Sequence, residues 1–121
     1  MLEAERVARV QLLYREVNER IHAIGTGAFG LPSDEPLNVV CECLDASCAD
    51  RITVSARELE QARSSPARFI VLPGHEDVDY EEVLARHAGF LIVAKDEELI
   101  ARLRAEPDAA ASTSGRKPGL Q

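Results

Sequence analysis

The sequence feature that most constrains the fold of this chain is the clustering of its cysteines. There are three, and Cys41, Cys43 and Cys48 all lie within one short segment. Farther along, the turn-forming pair Pro73-Gly74 is followed by a histidine, His75. Three thiolates and one imidazole are a common ligand set of closed, tetrahedral zinc sites. The sequence therefore predicts a structural Zn²⁺ ion bound by these four side chains.

The spacing of the four side chains is compatible with such a site. Cys41 and Cys43 are two residues apart in a predicted strand, so their side chains project from the same face. A loop after Cys43 would bring Cys48 back toward them. Gly74 permits a sharp backbone turn beside His75, which follows another predicted strand. The C-x-C-x4-C spacing is less diagnostic of zinc than two C-x-x-C pairs.

Other residues could supply the fourth ligand in place of His75. Asp45 and Asp50 lie on either side of the third cysteine, and carboxylate oxygens also bind zinc. His87 is a weaker candidate because it is expected on the side of a helix. His22 falls beside the apolar stripe of the first predicted helix, where a surface position is preferred.

A thiol redox switch, or three partly buried cysteines without a ligand, are the alternatives to a metal site. A reactive cysteine needs a lowered pKa, which nearby cations or a helix N-terminus provide. Here the close neighbours Glu42, Asp45 and Asp50 are acidic, and Arg51 is the one cation nearby in sequence. Carboxylates raise the pKa of a thiol but are compatible with a bound dication. The local charges therefore favour metal binding over redox chemistry.

Catalysis has weaker support in the sequence. Without His75 as a ligand, the three cysteines would form the open site of a zinc hydrolase, with Glu42 or Glu76 as the base. A nucleophilic pair of Cys48 with His75 is also formally possible. The chain contains no H-E-x-x-H, and no H-x-E with a C-x-x-C. We therefore expect a non-enzymatic interaction or regulatory module, with a thiol- or metal-responsive redox sensor as the alternative.

The size and composition of the chain make a metal ion useful for its stability. The 121 residues include two Tyr, three Phe and no Trp, so few large side chains can fill a core. About seventy to eighty packed residues bury only about 60–65% of their unfolded surface. Domains of this size commonly need a metal or a disulfide as additional support.

Charge and hydropathy restrict the partners and the location of the protein. The net charge of −7 argues against a nucleic acid or an anionic membrane, since both need clustered Lys and Arg. No apolar run approaches the length of about 18–20 residues that crosses a membrane. The acidic, amphipathic N-terminus is unlike a secretory signal. We therefore expect a cytoplasmic protein, where an odd number of cysteines favours a metal site or free thiols over disulfides.

Residues 1–24 are predicted to form an amphipathic helix. We expect its apolar stripe to pack on the chain's own domain; the alternative is a protein partner or a homodimer through this helix. Gly25 is expected to end the helix. The stripe recurs at spacings of three and four and consists of Val7, Val10, Tyr14, Val17, Ile21 and Ile24.

The remaining chain divides into a linker, a domain and a tail. Residues 25–36 are a Gly- and Pro-rich linker whose G-x-G-x-x-G match follows a helix and runs into Pro32, which is wrong for a dinucleotide-binding loop. Residues 37–106 are predicted to form a small α+β zinc-binding domain with a mainly antiparallel sheet of about four strands. Residues 107–121 are expected to be disordered. Strands are expected at 37–43, 51–54, 69–72 and 90–93, and short helices at 55–64, at 79–87 and after Asp96.

Several segments also carry a resemblance to known proteins. In chain order they are Arg15–Ile21, Cys41-Glu42-Cys43 with Cys48, Arg51-Ile52, Phe69-Ile70-Val71, Pro73-Gly74-His75-Glu76, and the apolar strand that ends at Lys95. Together they resemble a group of small uncharacterised actinobacterial proteins with a CECxxxxC motif followed by a PGHE turn. The resemblance spans residues 5–95 and implies no activity.

Overall fold

The structure, a computed structural model, describes residues 3–105 of the 121. The predicted α+β class, with a long N-terminal helix, antiparallel strands and short helices, is confirmed. The helices are α1 (Glu3–Ala23), which continues into a π-helical turn (Ile24–Ala28), α2 (Ala56–Ala62) and α3 (Glu97–Ala105). The strands are β1 (Pro36–Val40), β2 (Arg51–Ser55), β3 (Arg68–Val71), β4 (Glu82–Arg86) and β5 (Leu91–Ala94).

The strands form two small antiparallel sheets. β1 pairs with β2, with Val39 opposite Ile52. In the second sheet β5 is central, and the strand order is β3-β5-β4. Alternating apolar residues of β1 and β2 point into the same core as β3 and β5. The largest apolar side chains that are fully buried in this core are Val39, Ile52, Val54, Phe69, Ile70, Val71, Leu91, Val93 and Ile100.

The predicted starts of two helices, α2 at Ser55 and α3 at Asp96, are confirmed. At the start of α2 the Ser55 hydroxyl accepts from the backbone N–H of Glu58 over 3.0 Å, and the Glu58 carboxylate accepts from the Ser55 N–H over 2.9 Å. This reciprocal arrangement satisfies two backbone donors that a helix end leaves unpaired. At the start of α3 the Asp96 carboxylate accepts from the Glu98 N–H over 2.8 Å.

The prediction of a helix over residues 79–87 is wrong, because this segment contains strand β4. Val83 lies opposite Val93 of β5, and the His87 N–H donates to the Phe90 carbonyl over 2.8 Å, which closes a hairpin. The side chains of β4 alternate between exposed and half-buried. A helix this short is marginal by itself, whereas a strand here satisfies the backbone groups on the second edge of β5.

The prediction that Gly25 ends the first helix is wrong. The helical coil widens into the π turn, and the Phe29 N–H donates to the Ile24 carbonyl over 3.1 Å. Gly25 is buried there, and a Cβ atom at this position would lie 3.1 Å from the Leu37 side chain. The glycine therefore permits close packing of the helix against β1.

Helix α1 packs on the domain, but with only part of the predicted apolar stripe: Val7 is buried and Ile21 packs against the core. Its buried face carries polar side chains, with Gln11 and Asn18 fully buried and Arg15 nearly so. Val17 and Ile24, two members of the predicted stripe, are exposed to solvent.

The reason for this orientation lies at the end of β1 and in the segment that follows it. The Asn18 side chain donates to the Val40 carbonyl and accepts from the Val40 N–H, each over 2.8 Å. The Gln11 side chain donates to the Glu42 carbonyl over 2.9 Å. Buried backbone groups must be paired, and the two amides of α1 replace the neighbouring strand that this edge lacks.

None of the helices within residues 3–105 is both long and apolar enough to cross a lipid bilayer. The predicted disordered segment, residues 107–121, lies outside the described residues.

Candidate metal centre

The first two cysteines lie just beyond β1, in an extended segment held between the two sheets. The Cys41 N–H donates to the Asp50 carbonyl, and the Glu42 N–H donates to the Ile70 carbonyl of β3, each over 2.9 Å. Because the backbone is extended, Cys41 and Cys43 point to one face and Glu42 to the other. Both cysteine side chains are buried, with 1% and 2% of their surface exposed.

A tight loop returns Cys48 to the first two cysteines. The Asp45 carboxylate accepts from the Ser47 N–H over 2.9 Å and from the Ser47 hydroxyl over 2.7 Å. The Cys48 N–H donates to the Asp45 carbonyl over 3.0 Å. From α1, the Tyr14 hydroxyl donates to the Ala46 carbonyl over 2.6 Å. The loop is thus fixed both by its own turn and by the N-terminal helix.

His75 reaches the cysteines from the turn after β3. The His75 N–H donates to the Leu72 carbonyl over 2.9 Å, and Gly74 adopts a φ of 92°, which favours glycine. The Glu76 carboxylate accepts from the Gly74 N–H over 2.8 Å. The predicted role of Gly74 in a sharp turn is confirmed.

The four predicted ligands come together in the structure. One donor atom from each of Cys41, Cys43, Cys48 and His75 lies within 4.8 Å of all the others. The Nδ1 atom of His75 is 3.6 Å from the Cys41 sulfur and 3.7 Å from the Cys48 sulfur. Around a tetrahedral zinc, with bonds of about 2.3 Å to sulfur and 2.0 Å to nitrogen, donor atoms stand about 3.5–3.8 Å apart. The cluster could therefore hold a metal ion.

The thiols of this cluster are suited to a metal rather than to redox reactivity. Burial raises the pKa of Cys41 and of Cys43, so both are protonated at neutral pH unless a cation is present. Two backbone N–H groups act in the opposite direction and partly lower these pKa values. The Leu72 N–H lies 3.3 Å from the Cys41 sulfur, and the Asp45 N–H donates to the Cys43 sulfur. A dication would complete the stabilisation of the thiolates.

Asp50 faces the outer nitrogen of the His75 ring. One of its carboxylate oxygens is 3.6 Å from Nε2, whereas Nδ1 points to the sulfurs. Histidines that bind metals commonly present their second nitrogen to a carboxylate, which orients the ring. Asp50, weighed above as an alternative ligand, is therefore placed to orient His75.

The other alternative ligands make contacts of their own. Asp45 stabilises the cysteine loop, as described. His22 lies on α1, with Nε2 2.7 Å from a carboxylate oxygen of Glu60. His87 is exposed in the β4–β5 hairpin, where its ring stacks on Phe90 at a centroid distance of 4.6 Å.

Glu42 has a buried structural role that its sequence context did not predict. Its carboxylate is fully buried and forms a two-pronged ion pair with the Arg63 guanidinium. It also accepts from the Asn18 side chain over 2.7 Å and from the Ile70 N–H over 2.9 Å. The sequence signal for this role was the position of Glu42 between two cysteines. Because side chains alternate between the two faces of an extended segment, Glu42 points away from both cysteines. Glu42 is thus not placed to act as a base at the cysteines.

Two arginines anchor the polar layer under α1. Burial acts to lower the pKa of Arg63, but Glu42 and Glu19 outweigh it and raise the pKa above its ordinary value. Arg15 donates to the backbone carbonyls of Pro66 and Arg68, and its burial lowers its pKa. These contacts fix α1 against the segment that carries the cysteines.

Comparison with known proteins returned no matching family model, no similar curated protein and no similar solved structure.

Proposed function

We propose that this chain is a cytoplasmic, non-enzymatic interaction module whose fold is held together by one structural Zn²⁺ ion. The observation that carries the proposal is the cluster of Cys41, Cys43, Cys48 and His75, whose donor atoms lie within 4.8 Å of one another, with His75 Nδ1 3.6 Å and 3.7 Å from two of the sulfurs. Three sulfurs and one imidazole nitrogen favour zinc over magnesium or calcium, which take oxygen ligands. A cytoplasmic location fits because the thiols must stay reduced.

The arrangement supports a structural rather than a catalytic ion. A catalytic zinc keeps one position open for water, whereas the His75 ring already lies against the sulfurs. The two acids weighed as bases are engaged elsewhere: Glu42 with Arg63, and Glu76 with the Gly74 N–H.

The test is native mass spectrometry of full-length protein purified without added metal, before and after acid denaturation. We expect one zinc per chain, lost together with the fold. Cys48→Ser should bind less than one zinc per chain, whereas Ser47→Ala, next to it in the same loop, should retain the full complement. A folded wild-type protein without metal would overturn the proposal.

A second candidate, a thiol-responsive sensor, is favoured by one observation. Cys48 is the most exposed of the three cysteines and lies on a surface loop. Mild peroxide would then oxidise Cys48 first and release zinc, which a coloured zinc chelator reports. Retention of zinc at peroxide concentrations that oxidise an exposed model thiol would exclude this candidate.

A further inference from the structure

The inward orientation of the polar face of α1 leaves an apolar surface on the outside of the molecule. We define the outer stripe as Leu13, Val17 and Ile24, which are 59%, 39% and 53% exposed. Phe29, just beyond the π turn, extends it and is 74% exposed. These residues are four of the six large apolar side chains that are exposed within residues 3–105. Such clustering marks an interaction surface.

We infer that the partner of the outer stripe is a second copy of this chain, docked antiparallel along α1. The inference rests on the proposed interaction module and names its partner. The apolar positions are symmetric about Val17: Val10 and Ile24 lie seven residues to either side, and Leu13 and Ile21 four. Val10 and Ile21 are half-buried, and Ile21 also packs against its own core, so both offer only the outer part of their side chains. A two-fold axis near Val17 therefore sets Val10 against Ile24 and Leu13 against Ile21 of the other copy.

The charges beside the stripe favour the same arrangement. Glu16 and Arg20 lie on one flank of the stripe, both are exposed, and within one chain they form an ion pair over 3.0 Å. In the antiparallel pair Glu16 of each copy faces Arg20 of the other, which gives two reciprocal ion pairs. A two-fold interface is self-complementary in this way.

The dimensions of the stripe set the strength of the dimer. From Val10 to Ile24 the helix rises about 21 Å, which is three to four turns. Such an interface is at the small end of specific protein contacts. The dimer should therefore dissociate in the micromolar range, within reach of sedimentation velocity on the full-length, zinc-loaded chain.

Substitution at the axis provides the first test. Val17→Glu places two carboxylates opposite each other and should raise the dissociation constant at least about tenfold. Val78→Glu makes the same change at a residue that is 77% exposed and remote from α1 in sequence, and should leave dimerisation unchanged. A wild-type protein that stays monomeric at all concentrations, or equal effects of both variants, would overturn the inference.

Charge reversal tests whether the two copies meet at this flank. Glu16→Arg carries two positive charges there, and Arg20→Glu carries two negative ones. Each variant alone should dimerise more weakly than wild type, whereas an equimolar mixture should recover dimers. Absence of recovery in the mixture would refute the contact.

Failure of this inference is distinguishable from failure of the proposed function. Native mass spectrometry gives the metal content and the oligomeric state in one spectrum. Zinc-loaded monomers would refute the dimer and leave the zinc module intact, whereas metal-free folded dimers would refute the zinc module and retain the dimer.

Discussion

Substitution of Glu42 by glutamine is the sharpest test of how α1, Arg63 and the cysteine segment are held together. Glutamine has the same size as glutamate, but an NH₂ group replaces one of the two oxygens. In the natural protein that oxygen accepts from Arg63 and Asn18. Asn18 cannot reverse its amide, since its own oxygen accepts from the Val40 N–H. In Glu42→Gln the new NH₂ group therefore faces the N–H donors of Arg63 and Asn18, and no hydrogen bond can form between these groups in the buried site.

The magnitude follows from the burial of the pair. The Glu42 side chain is 0% exposed and that of Arg63 is 10% exposed. Removal of one member of a buried ion pair costs about 3–5 kcal/mol, because the remaining charge is left without compensation. This is a large share of the roughly 5–15 kcal/mol that stabilises an ordinary domain. For a domain of about 100 residues it lowers Tm by about 12 °C or more.

Urea denaturation of zinc-loaded protein, followed by circular dichroism, measures the effect. The zinc content of each variant is determined beforehand, so that loss of metal is not mistaken for loss of the ion pair.

Glu19→Gln is the matched control. Glu19 binds the same arginine, with its carboxylate 3.0 Å from Arg63 Nε, but its side chain is 52% exposed. We expect this variant to lose no more than about 1 kcal/mol. Free energies of unfolding for the two variants that agree within about 0.5 kcal/mol would refute the reasoning.

Three further predictions concern the metal. Cys43→Ser should yield a largely unfolded or insoluble protein, because structural zinc contributes on the order of 10 kcal/mol of folding free energy; a soluble variant with unchanged Tm would contradict this. Asp50→Asn should weaken zinc binding about tenfold or more in competition with a chelator, and the exposed Asp34→Asn serves as its control. Since burial raises the pKa of Cys41 and Cys43 in the metal-free fold, zinc must displace both protons. Affinity should therefore fall as pH falls, and calorimetry in buffers of different ionisation enthalpy should show at least two protons released per zinc; release of none would refute the argument.

The clustering of the three cysteines with His75 was predictable because donor type and local spacing carry most of the information. Cys41, Cys43 and Cys48 are close in sequence, so a short loop is enough to bring them together. His75 was identified by the turn chemistry of Gly74 and by its position after a strand. The role of Asp50 was not predictable, since an acidic residue beside the cluster can either bind the metal or orient a ligand.

The errors have physical causes that a one-dimensional pattern does not contain. Hydrophobic periodicity located α1 but gave only part of its inner face, because pairing the backbone groups of Val40 and Glu42 outweighs the burial of Val17. Residues 79–87 carry apolar side chains at positions compatible with either a helix or a strand. The choice between them depends on the free edge of β5, which is a property of the assembled sheet.

The contacts of α1 also determine the order in which the chain can complete its fold. The helix is synthesised before the other described elements, yet its side chains bond to residues far along the sequence. Gln11 donates to Glu81, 70 residues away, over 3.0 Å, and Glu5 accepts from Arg102, 97 residues away, over 2.7 Å. Loops of this length close slowly. Helix α1 is therefore fully anchored only after α3, and a nascent chain leaves part of the inner face of α1 exposed until α3 has emerged.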